Sequence, residues 1–412
     1  MTALAEVGVE LASRLLAGLD PRRPLGLQEH LARYGRPVLA GDLVNELEVS
    51  GVRGRGGAGF SVSAKVRAVA SRRGRPVIVV NAAEGEPLSQ KDKLLLGKLP
   101  HLVIDGAVAL AAAIGAREVF IAHAECARHE ANALTAALEE RQRLHDRISV
   151  AAVAVPDGYV TGQETALINF LNGGPALPTF TPPRPFESGV GGRPTLVQNA
   201  ETAAQVALIA RHGGGWFRRV GTAADPGTAL FSLSGGIARP GVYEAALGVS
   251  LKALVGSAGG LARAPRAVLV GGYAGTWIDA RSASDLTLDD ECLASHGATL
   301  GVGTVTVLPE GACGVCETAR IARYLARESA GQCGPCVHGL AALARGLDRR
   351  PDRSQLARHV GEVRGRGACR HPDGAARLVA SAISVFAREL ATHDGRSCRA
   401  GARAAIPVPG PQ

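Results

Sequence analysis

The pattern of hydrophobic and polar positions changes twice along the chain. In its first half, short β-branched runs alternate with longer stretches of helical spacing. This alternation is the βαβ rhythm of a parallel sheet covered by helices, so it predicts an α/β fold. The predicted strands are 76–81, 118–122 and 148–155, and the predicted helices are 102–114, 128–144 and 164–171.

The pattern then becomes glycine-rich with short strands, and finally helical. A proline- and glycine-rich passage at 173–194 is too long for a plain connection and predicts a linker or a functional loop. The predicted segments, in chain order, are a helical lead-in at 1–40, an α/β domain at 41–227, a small β-rich domain at 228–312, a helical domain at 313–400 and a disordered tail at 401–412.

Composition narrows the class of protein. Of the 412 residues, 46% are hydrophobic and 20% charged, as expected for a globular protein with a real core. The net charge of +9 comes from scattered basic residues without interleaved aromatics, so nucleic acid is not expected as a partner. The sequence has neither a run of 18 apolar residues nor a signal-peptide pattern, so we expect a cytoplasmic protein without membrane insertion.

A glycine-rich segment is the first candidate site. The run GVRGRGGAGF places Gly54, Gly56 and Gly59 at G-x-G-x-x-G spacing, but residues 42–49 before it make a poor strand, so it is not the ordinary dinucleotide turn. Its backbone N–H groups, a following helix start and Lys65 suit a phosphate. The glycines alone are equally compatible with a flexible surface loop.

Two further segments carry candidate chemistry. The acidic run NAAEGE, Asn81 to Glu86, directly follows a strand, where α/β sheets usually bind ligands, although a solvated turn is the simpler interpretation of these residues alone. The cysteines include two C-x-x-C pairs, which indicate metal or redox chemistry rather than a disulfide framework. The pairs are Cys313 with Cys316 and Cys333 with Cys336.

The first C-x-x-C pair is ambiguous. Cys313 and Cys316 could form half of a metal site, but no second pair at zinc spacing accompanies them. Two buried cysteines at a helix start are therefore the simpler interpretation. The isolated Cys126, Cys292 and Cys398 are assigned to structure or surface.

Five segments together resemble the NADH-oxidising FMN subunit of respiratory complex I, the flavoprotein family of NADH-quinone oxidoreductase F subunits. The family patterns are G-L-R-G-R-G-G-A-G-F with a lysine beyond it, N-A-D-E-G-E-P, G-A-Y-I-C-G-E-E-T-A-L, G-x-P-T-x-V-N-N-V-E-T and E-S-C-G-x-C-x-P-C. The chain has GVRGRGGAGF, NAAEGEP, DGYVTGQETAL, GRPTLVQNAET and ESAGQCGPC in these places. The resemblance covers roughly residues 40–395.

The resemblance implies an FMN-binding Rossmann-like domain, then a β-grasp domain of the ubiquitin-like SLBB type, then a helical bundle holding an iron–sulfur cluster. It also implies that Glu84, Glu86 and Glu164 orient the flavin and the nucleotide, Glu86 facing the nicotinamide nucleotide. The implied cofactor-binding residues are Gly54, Arg55, Gly56, Gly57, Gly59, Phe60, Lys65, Asn81, Glu84, Gly162, Gln163, Glu164, Gln198, Asn199 and Thr202.

The cluster motif is incomplete in this chain. The resemblance implies that Cys333, Cys336 and Cys369 are cluster ligands, but the first ligand position of the family holds Ala330. A [4Fe–4S] cluster usually has four thiolates. Three outcomes remain open: a three-thiolate [3Fe–4S] or [4Fe–4S] cluster, a fourth ligand from Cys313, Cys316 or His338, and a site without a cluster.

The resemblance implies that NADH gives a hydride to FMN and that electrons pass singly to the cluster near Cys333. From there they would reach a small iron–sulfur carrier, either a ferredoxin or a thioredoxin-like [2Fe–2S] subunit. Ala83 and Gln163 replace acids of the family, which favours an alternative: an FMN and iron–sulfur relay that does not use NADH, for example a ferredoxin-linked one. A cofactor-free scaffold is a third interpretation.

Overall fold

The computed structural model describes residues 13–20, 22–39, 41–142, 147–348, 350–395 and 398–410. The chain forms two compact units. The first, called the amino-terminal unit, contains residues 14–85 and 90–227, and the second, the carboxy-terminal unit, contains 86–89 and 228–412. Residues 1–12 of the predicted helical lead-in lie outside the described part.

The amino-terminal unit is built on a parallel four-stranded sheet, as the alternation of strands and helices predicted. The strands are β1 (Val77–Ala82), β2 (Glu118–Ala124), β3 (Ser149–Val155) and β4 (Thr195–Asn199), in the order β3-β2-β1-β4. One of the two inner strands, β1, is a nearly continuous buried hydrophobic run because both of its faces are covered.

Nine helices accompany this sheet in the described part of the unit. The predicted helix at 164–171 has those bounds, whereas the helix predicted over 128–144 ends at Glu140. The helices are α1 (Leu27–Tyr34), α2 (Leu43–Ser50), α3 (Val62–Ala70), α4 (Lys91–Lys98), α5 (Pro100–Ile114), α6 (Arg128–Glu140), α7 (Glu164–Leu171), α8 (Ala200–His212) and α9 (Gly214–Phe217).

The carboxy-terminal unit contains a mixed five-stranded sheet and a set of helices. The sheet has the order β6-β5-β9-β7-β8, in which β5 and β9 are parallel and every other pair is antiparallel. Its strands are β5 (Thr228–Gly235), β6 (Gly241–Ala246), β7 (Pro265–Val270), β8 (Thr276–Asp279) and β9 (Thr304–Pro309). Its helices are α10 (Leu251–Ser257), α11 (Asp290–Ser295), α12 (Gly314–Arg327), α13 (Leu340–Gly346), α14 (Arg353–Val363), α15 (His371–Val385) and α16 (Ala387–Thr392).

The tail differs from the sequence-based expectation of disorder, as far as residue 410. Ile406 is fully buried, and the carboxylate of Glu317 accepts the backbone N–H groups of Ala405 and Ile406 at 3.0 and 3.2 Å. Burying an apolar side chain and pairing two backbone amides orders a segment that its composition alone marks as disordered.

No single helix among the described residues is long and apolar enough to cross a membrane. The helices α4 and α5 satisfy that test of length and composition only as a pair, and they are bent by 97° where they meet.

Candidate flavin and cluster sites

The candidate flavin site lies at the carboxyl edge of the parallel sheet. From β1 the chain continues to β2 and β3 on one side and returns to β4 on the other, so the strand order reverses between β1 and β4. Ligands of open α/β sheets bind outside the carboxyl ends of the strands at such a switch point. Asn81 pairs with Asn199 there, and Val80 pairs with Gln198.

The glycine-rich turn connects α2 to α3 and packs against this edge. Helix α2 covers the stretch judged a poor strand, which confirms that the turn is not the ordinary dinucleotide fingerprint. The backbone N–H of Arg55 donates to the Oγ1 of buried Thr202 at 2.9 Å, on the first turn of α8. Gly56 approaches Asn199 so closely that an added Cβ would lie 3.3 Å from that residue's Cβ. The turn therefore sits over the end of β4.

The turn itself is closed by one backbone bond, from the N–H of Gly54 to the carbonyl of Phe60 at 2.8 Å. Gly57 and Gly59 have positive φ values of 104° and 61°, which L-residues adopt only with strain. Nothing lies within 4 Å of the position where a Cβ of Gly59 would be. Phe60 is 60% exposed, so its ring is not part of the core of this unit.

Lys65 reaches from α3 to the same edge. Its Nζ donates to the carbonyl oxygen of Val197 in β4 at 2.8 Å and pairs with Glu164 at 2.9 Å. Two predicted site residues, Lys65 and Glu164, are thus brought together at the start of α7. Gln163, a third, caps that helix: its Oε1 accepts the N–H groups of Thr165 and Ala166 at 2.8 and 2.9 Å. The hydroxyl of Thr165 also donates to this oxygen, at 2.7 Å, so the Oε1 of Gln163 already has three donors.

Asn81 links the end of β1 to the loop before α7. Its Nδ2 donates to the carbonyl of Gly162 at 2.7 Å, and its Oδ1 accepts the N–H of Ala83 at 3.2 Å. A Cβ added to Gly162 would have only ordinary van der Waals contacts, the nearest at 3.8 Å from Asn81. The loop therefore leaves space beside Asn81.

A buried charge network, whose lysine the sequence analysis did not include among the site residues, contacts the end of β4 through Asn199. Lys91 Nζ lies 2.8 Å from Asp92, 3.0 Å from Asn199 and 3.1 Å from Glu201, and its side chain is 1% exposed. Burial disfavours its charge, but Asp92, Glu201 and Glu84 outweigh this, so the pKa of Lys91 is raised. Lysines are almost never fully buried unless they are paired with opposite charges. Composition alone does not show which carboxylates lie near Lys91 in the fold, so it did not predict that this lysine is buried.

Glu84 and Glu86 have different surroundings. Glu84 has a φ of 46° and accepts the N–H groups of Asp92 and Lys93 at 2.9 Å each, at the amino end of α4. Glu86 belongs to the carboxy-terminal unit, where its carboxylate accepts the N–H groups of Leu88 and Tyr273 at 3.2 and 2.9 Å. The structure does not group these two predicted residues in one unit.

Gln198 provides a test of whether the site fits a flavin. Its side chain is 4% exposed at the carboxyl end of β4, and its Nε2 has no hydrogen-bond partner among the described residues. A buried donor without an acceptor costs about 1–3 kcal/mol. A flavin ring carries acceptor atoms along its pyrimidine edge that could satisfy this donor. The Nε2 of Gln198 at the carboxyl edge of the sheet is thus suited to the flavin ring. The backbone N–H groups of the glycine-rich turn and Lys65 are suited to the phosphate, so the residues fit FMN.

The three predicted cluster cysteines come together in the carboxy-terminal unit. Burial raises the pKa of the Cys333 thiol, but backbone N–H groups of Ala368 and Cys336 outweigh it and leave that pKa below its usual value. Burial, and a hydrogen bond that its thiol donates to Cys333, raise the pKa of Cys336 to about 12. Burial also raises the pKa of Cys369, and Cys333 adds to this. These thiols fit three ligands of a cluster.

The fourth ligand position remains without a cysteine. The backbone N–H of Ala330 faces the thiol of Cys336, which lies in a π-helical turn, Pro335–Gly339. Such turns occur frequently at functional sites. His338 is exposed on this turn, and Cys313 and Cys316 lie with His393 and Cys398 instead. Cys398, which stands alone in the sequence and is assigned there to structure or surface, thus lies beside the first C-x-x-C pair in the fold.

Two family models match the chain. The Nuo51 FMN-binding domain matches residues 47–208, and the NADH-ubiquinone oxidoreductase-F iron–sulfur binding region matches residues 316–393. The first range contains the glycine turn and both strands of the switch point, and the second contains the three cluster cysteines.

Curated relatives match over most of their length. The F subunit of NADH-quinone oxidoreductase of Streptomyces coelicolor is 33% identical over 381 residues, which are 87% of this chain and 84% of the relative. The F 2 subunit of the Rhizobium meliloti enzyme is 32% identical over 87% of this chain and 90% of its own. A crystal structure of an NAD+-reducing [NiFe]-hydrogenase in the H2-reduced state contains a similar chain, with a TM-score of 0.83 and 30% identity. The match covers 92% of this chain and 66% of that one.

These findings define the class: an NADH dehydrogenase-type oxidoreductase whose cofactors are FMN and an iron–sulfur cluster. The resemblance found in the five sequence segments is thereby confirmed. The chain belongs to the family of NADH-quinone oxidoreductase F subunits.

Proposed function

We propose that this chain oxidises NADH at an FMN held over the carboxyl ends of β1 and β4 and passes the electrons to a cluster held by Cys333, Cys336 and Cys369. FMN, when bound, accepts a hydride and gives up its two electrons one at a time. The observation that carries the proposal is the turn at the switch point, fixed there by Thr202 through the Arg55 amide.

Each part of the chain has a separate task in this proposal. The backbone N–H groups of Gly54–Gly59 and the charge of Lys65 bind the phosphate, because oriented amides and a cation favour an anion. Gln198 Nε2 donates to the ring, and Asn81 holds the loop beside it. We propose that Glu84, Glu86 and Glu164 orient the flavin and the nucleotide, as the resemblance implies.

The electron acceptor is proposed to be a small iron–sulfur carrier, a ferredoxin or a thioredoxin-like [2Fe–2S] subunit. The relatives are named as subunits, which supports a partner protein. The fold is proposed to include a β-grasp domain at 228–312. The order β6-β5-β9-β7-β8, with a parallel central pair and α10 after the first hairpin, supports this.

A matched pair of glycine variants tests the flavin site. Gly59 and Gly115 both have a positive φ, 61° and 72°, and nothing lies within 4 Å of an added Cβ at either. Alanine therefore introduces similar backbone strain at both, about 1 kcal/mol. We expect Gly59→Ala to raise the dissociation constant for FMN at least about tenfold, and Gly115→Ala to leave it unchanged. The measurement is FMN titration of apoprotein by fluorescence quenching.

Two outcomes with the same pair of variants would contradict the proposed phosphate site. Equal FMN binding by Gly59→Ala and the unmodified chain would place the phosphate elsewhere. Equal weakening by both variants would attribute the loss to general strain and would also contradict the proposed cradle.

A second candidate function is an FMN and iron–sulfur relay that takes electrons from a donor other than NADH. Gln163 favours it, because the position that carries an acid in the family here serves to cap α7. Anaerobic mixing with NADH, and separately with reduced ferredoxin, distinguishes the two functions. Rapid loss of flavin absorbance with NADH supports the first, and loss with reduced ferredoxin alone supports the second.

A further inference from the structure

A second group of metal-binding side chains lies in the carboxy-terminal unit. The ligand atoms of Cys313, Cys316, His393 and Cys398 all lie within 4.8 Å of one another. None of the four matches the cysteine motif of the cluster site, which uses Cys333, Cys336 and Cys369. Cys313 and Cys398 also lie outside residues 316–393, the range of the iron–sulfur family model.

Local structure places three thiols and one imidazole around a common point. Cys313 is the N-cap of α12, and its Sγ accepts the backbone N–H of Cys316 at 3.3 Å. His393 directly follows α16 and brings one ring nitrogen to each of these thiols, at 3.8 Å from Cys313 and 3.7 Å from Cys316. Cys398 directly precedes the short 3₁₀ turn, Arg399–Gly401, that leads into the tail.

The loop that contains Gly401 packs tightly against this group of ligands. A Cβ added to Gly401 would lie 2.2 Å from the Sγ of Cys316 and 3.3 Å from that of Cys398, so only glycine fits there. Arg320, on the next turn of α12, donates to the carbonyl of Gly401 and holds the loop in place. Cys313 is 3% exposed, so bulk water has little access to this side of the group.

The spacing of these atoms is close to that of ligands sharing one tetrahedral ion, since no two of them lie more than 4.8 Å apart. With zinc bonds of about 2.3 Å to sulfur and about 2.0–2.1 Å to nitrogen, neighbouring ligand atoms of a tetrahedron lie about 3.6–3.8 Å apart. In a [4Fe–4S] cube the ligands bind four different irons, so their sulfurs lie farther apart than ligands that share one ion. The group is therefore too compact for a cluster.

We propose that Cys313, Cys316, His393 and Cys398 bind one structural zinc ion. Three cysteines and one histidine are a usual ligand set of closed structural zinc sites. Binding displaces the thiol protons, and three thiolates with a neutral imidazole leave the complex one negative charge. The ion cross-links the start of α12 to the segment that follows α16, and so adds to the hydrogen bonds of Glu317 that hold the tail.

The test is metal analysis of the full chain purified anaerobically, with zinc, iron and acid-labile sulfide measured together. We expect about one zinc per chain. We expect Cys398→Ser to remove most of the zinc and leave iron and sulfide unchanged. Cys333→Ser should do the reverse, and the half-buried Cys292→Ser should change neither. This pattern separates the zinc site from the proposed cluster, so either can fail alone.

Three results would overturn the proposal: zinc absent from the unmodified chain, zinc retained by Cys398→Ser, or iron and sulfide lost from that variant in place of zinc. If Cys398→Ser does not fold, cobalt substitution of the unmodified chain decides. One Co²⁺ per chain with thiolate charge-transfer bands and tetrahedral ligand-field bands supports the proposal. A cobalt spectrum without thiolate bands contradicts it.

Discussion

At the scale of single residues, we propose that Gln198 connects the stability of the amino-terminal unit to flavin binding. Its buried Nε2 has no partner among the described residues, although the rest of its surroundings at the end of β4 is well packed. Functional sites commonly keep such groups at some cost to folding, because the ligand supplies the missing partner.

Replacing this side chain should therefore change stability and binding in opposite directions. We expect Gln198→Leu to leave the free energy of unfolding of the apoprotein equal or about 1 kcal/mol higher, because an unsatisfied donor is removed. The same change should weaken FMN binding about tenfold, because the ring loses that donor. Urea unfolding of apoprotein and FMN titration measure the two effects. A variant that loses stability and binds FMN normally would show that Gln198 has only a packing role.

At the scale of elements, a buried ionic cluster holds the helices of the amino-terminal unit together. Asp105 of α5 accepts from His30 of α1 at 2.8 Å and also pairs with Arg141, after α6, and with Arg211 of α8. His101, one turn earlier on α5, accepts from the Nε of Arg141 at 2.9 Å. The carboxylate of Asp105 thus connects α5 to α1, to α8 and to the residue that follows α6. Removing one partner of such a buried ionic group lowers the free energy of unfolding by about 3–5 kcal/mol.

The buried ionic group around Asp105 predicts that the folded protein loses stability in acid. Burial, with the nearby charge of Arg141, lowers the pKa of His101 to about 4, and burial also lowers that of His30. The unfolded chain takes up these protons near pH 6.5, so the free energy of unfolding should fall as the pH drops from about 6.5 to about 4. Burial raises the pKa of Asp105, but His30, Arg141 and Arg211 outweigh it and bring that pKa to about 2, so stability falls further below about pH 4.

Urea unfolding at a series of pH values measures this slope. The variant His101→Gln removes one of the titrating groups, and its slope between about pH 6.5 and 4 should be smaller than that of the unmodified chain. Equal slopes would mean that His101 titrates alike in the folded and unfolded chain.

Periodicity predicted three strands of the parallel sheet, because buried parallel strands and their covering helices have distinct patterns, but it did not predict the fourth strand, β4. The strand at 76–81 and the helix at 164–171 are examples. The glycine turn, Lys65, Asn81 and Asn199 were predicted as site residues through motifs, and the structure brings them to one edge. Sequence could not reveal that Gln163 caps a helix, since capping depends on the local backbone conformation.

The second cysteine group and the ordered tail could not be predicted from the sequence for one reason: both depend on contacts between distant residues. The second half of the Cys313 and Cys316 group is His393 with Cys398, which has no recognisable spacing and lies about 80 residues away. Only the fold brings such distant residues together. The tail was judged by composition, while its order depends on Glu317 and, in our proposal, on the zinc ion.

At the scale of the whole molecule, the two units separate the proposed tasks. The amino-terminal unit carries the flavin edge, and the carboxy-terminal unit carries both cysteine groups. Cys333, Cys336 and Cys369 are assigned to electron transfer, whereas Cys313, Cys316, His393 and Cys398 are assigned to architecture.

The most direct test of the central claim is an anaerobic titration of the FMN-reconstituted chain with NADH, followed by the visible absorbance of the flavin. The account predicts that the absorbance is lost within seconds and that Gly59→Ala, which binds FMN more weakly, shows a smaller change at the same FMN concentration. A chain that binds FMN and is reduced by dithionite but keeps its flavin absorbance in excess NADH would contradict it.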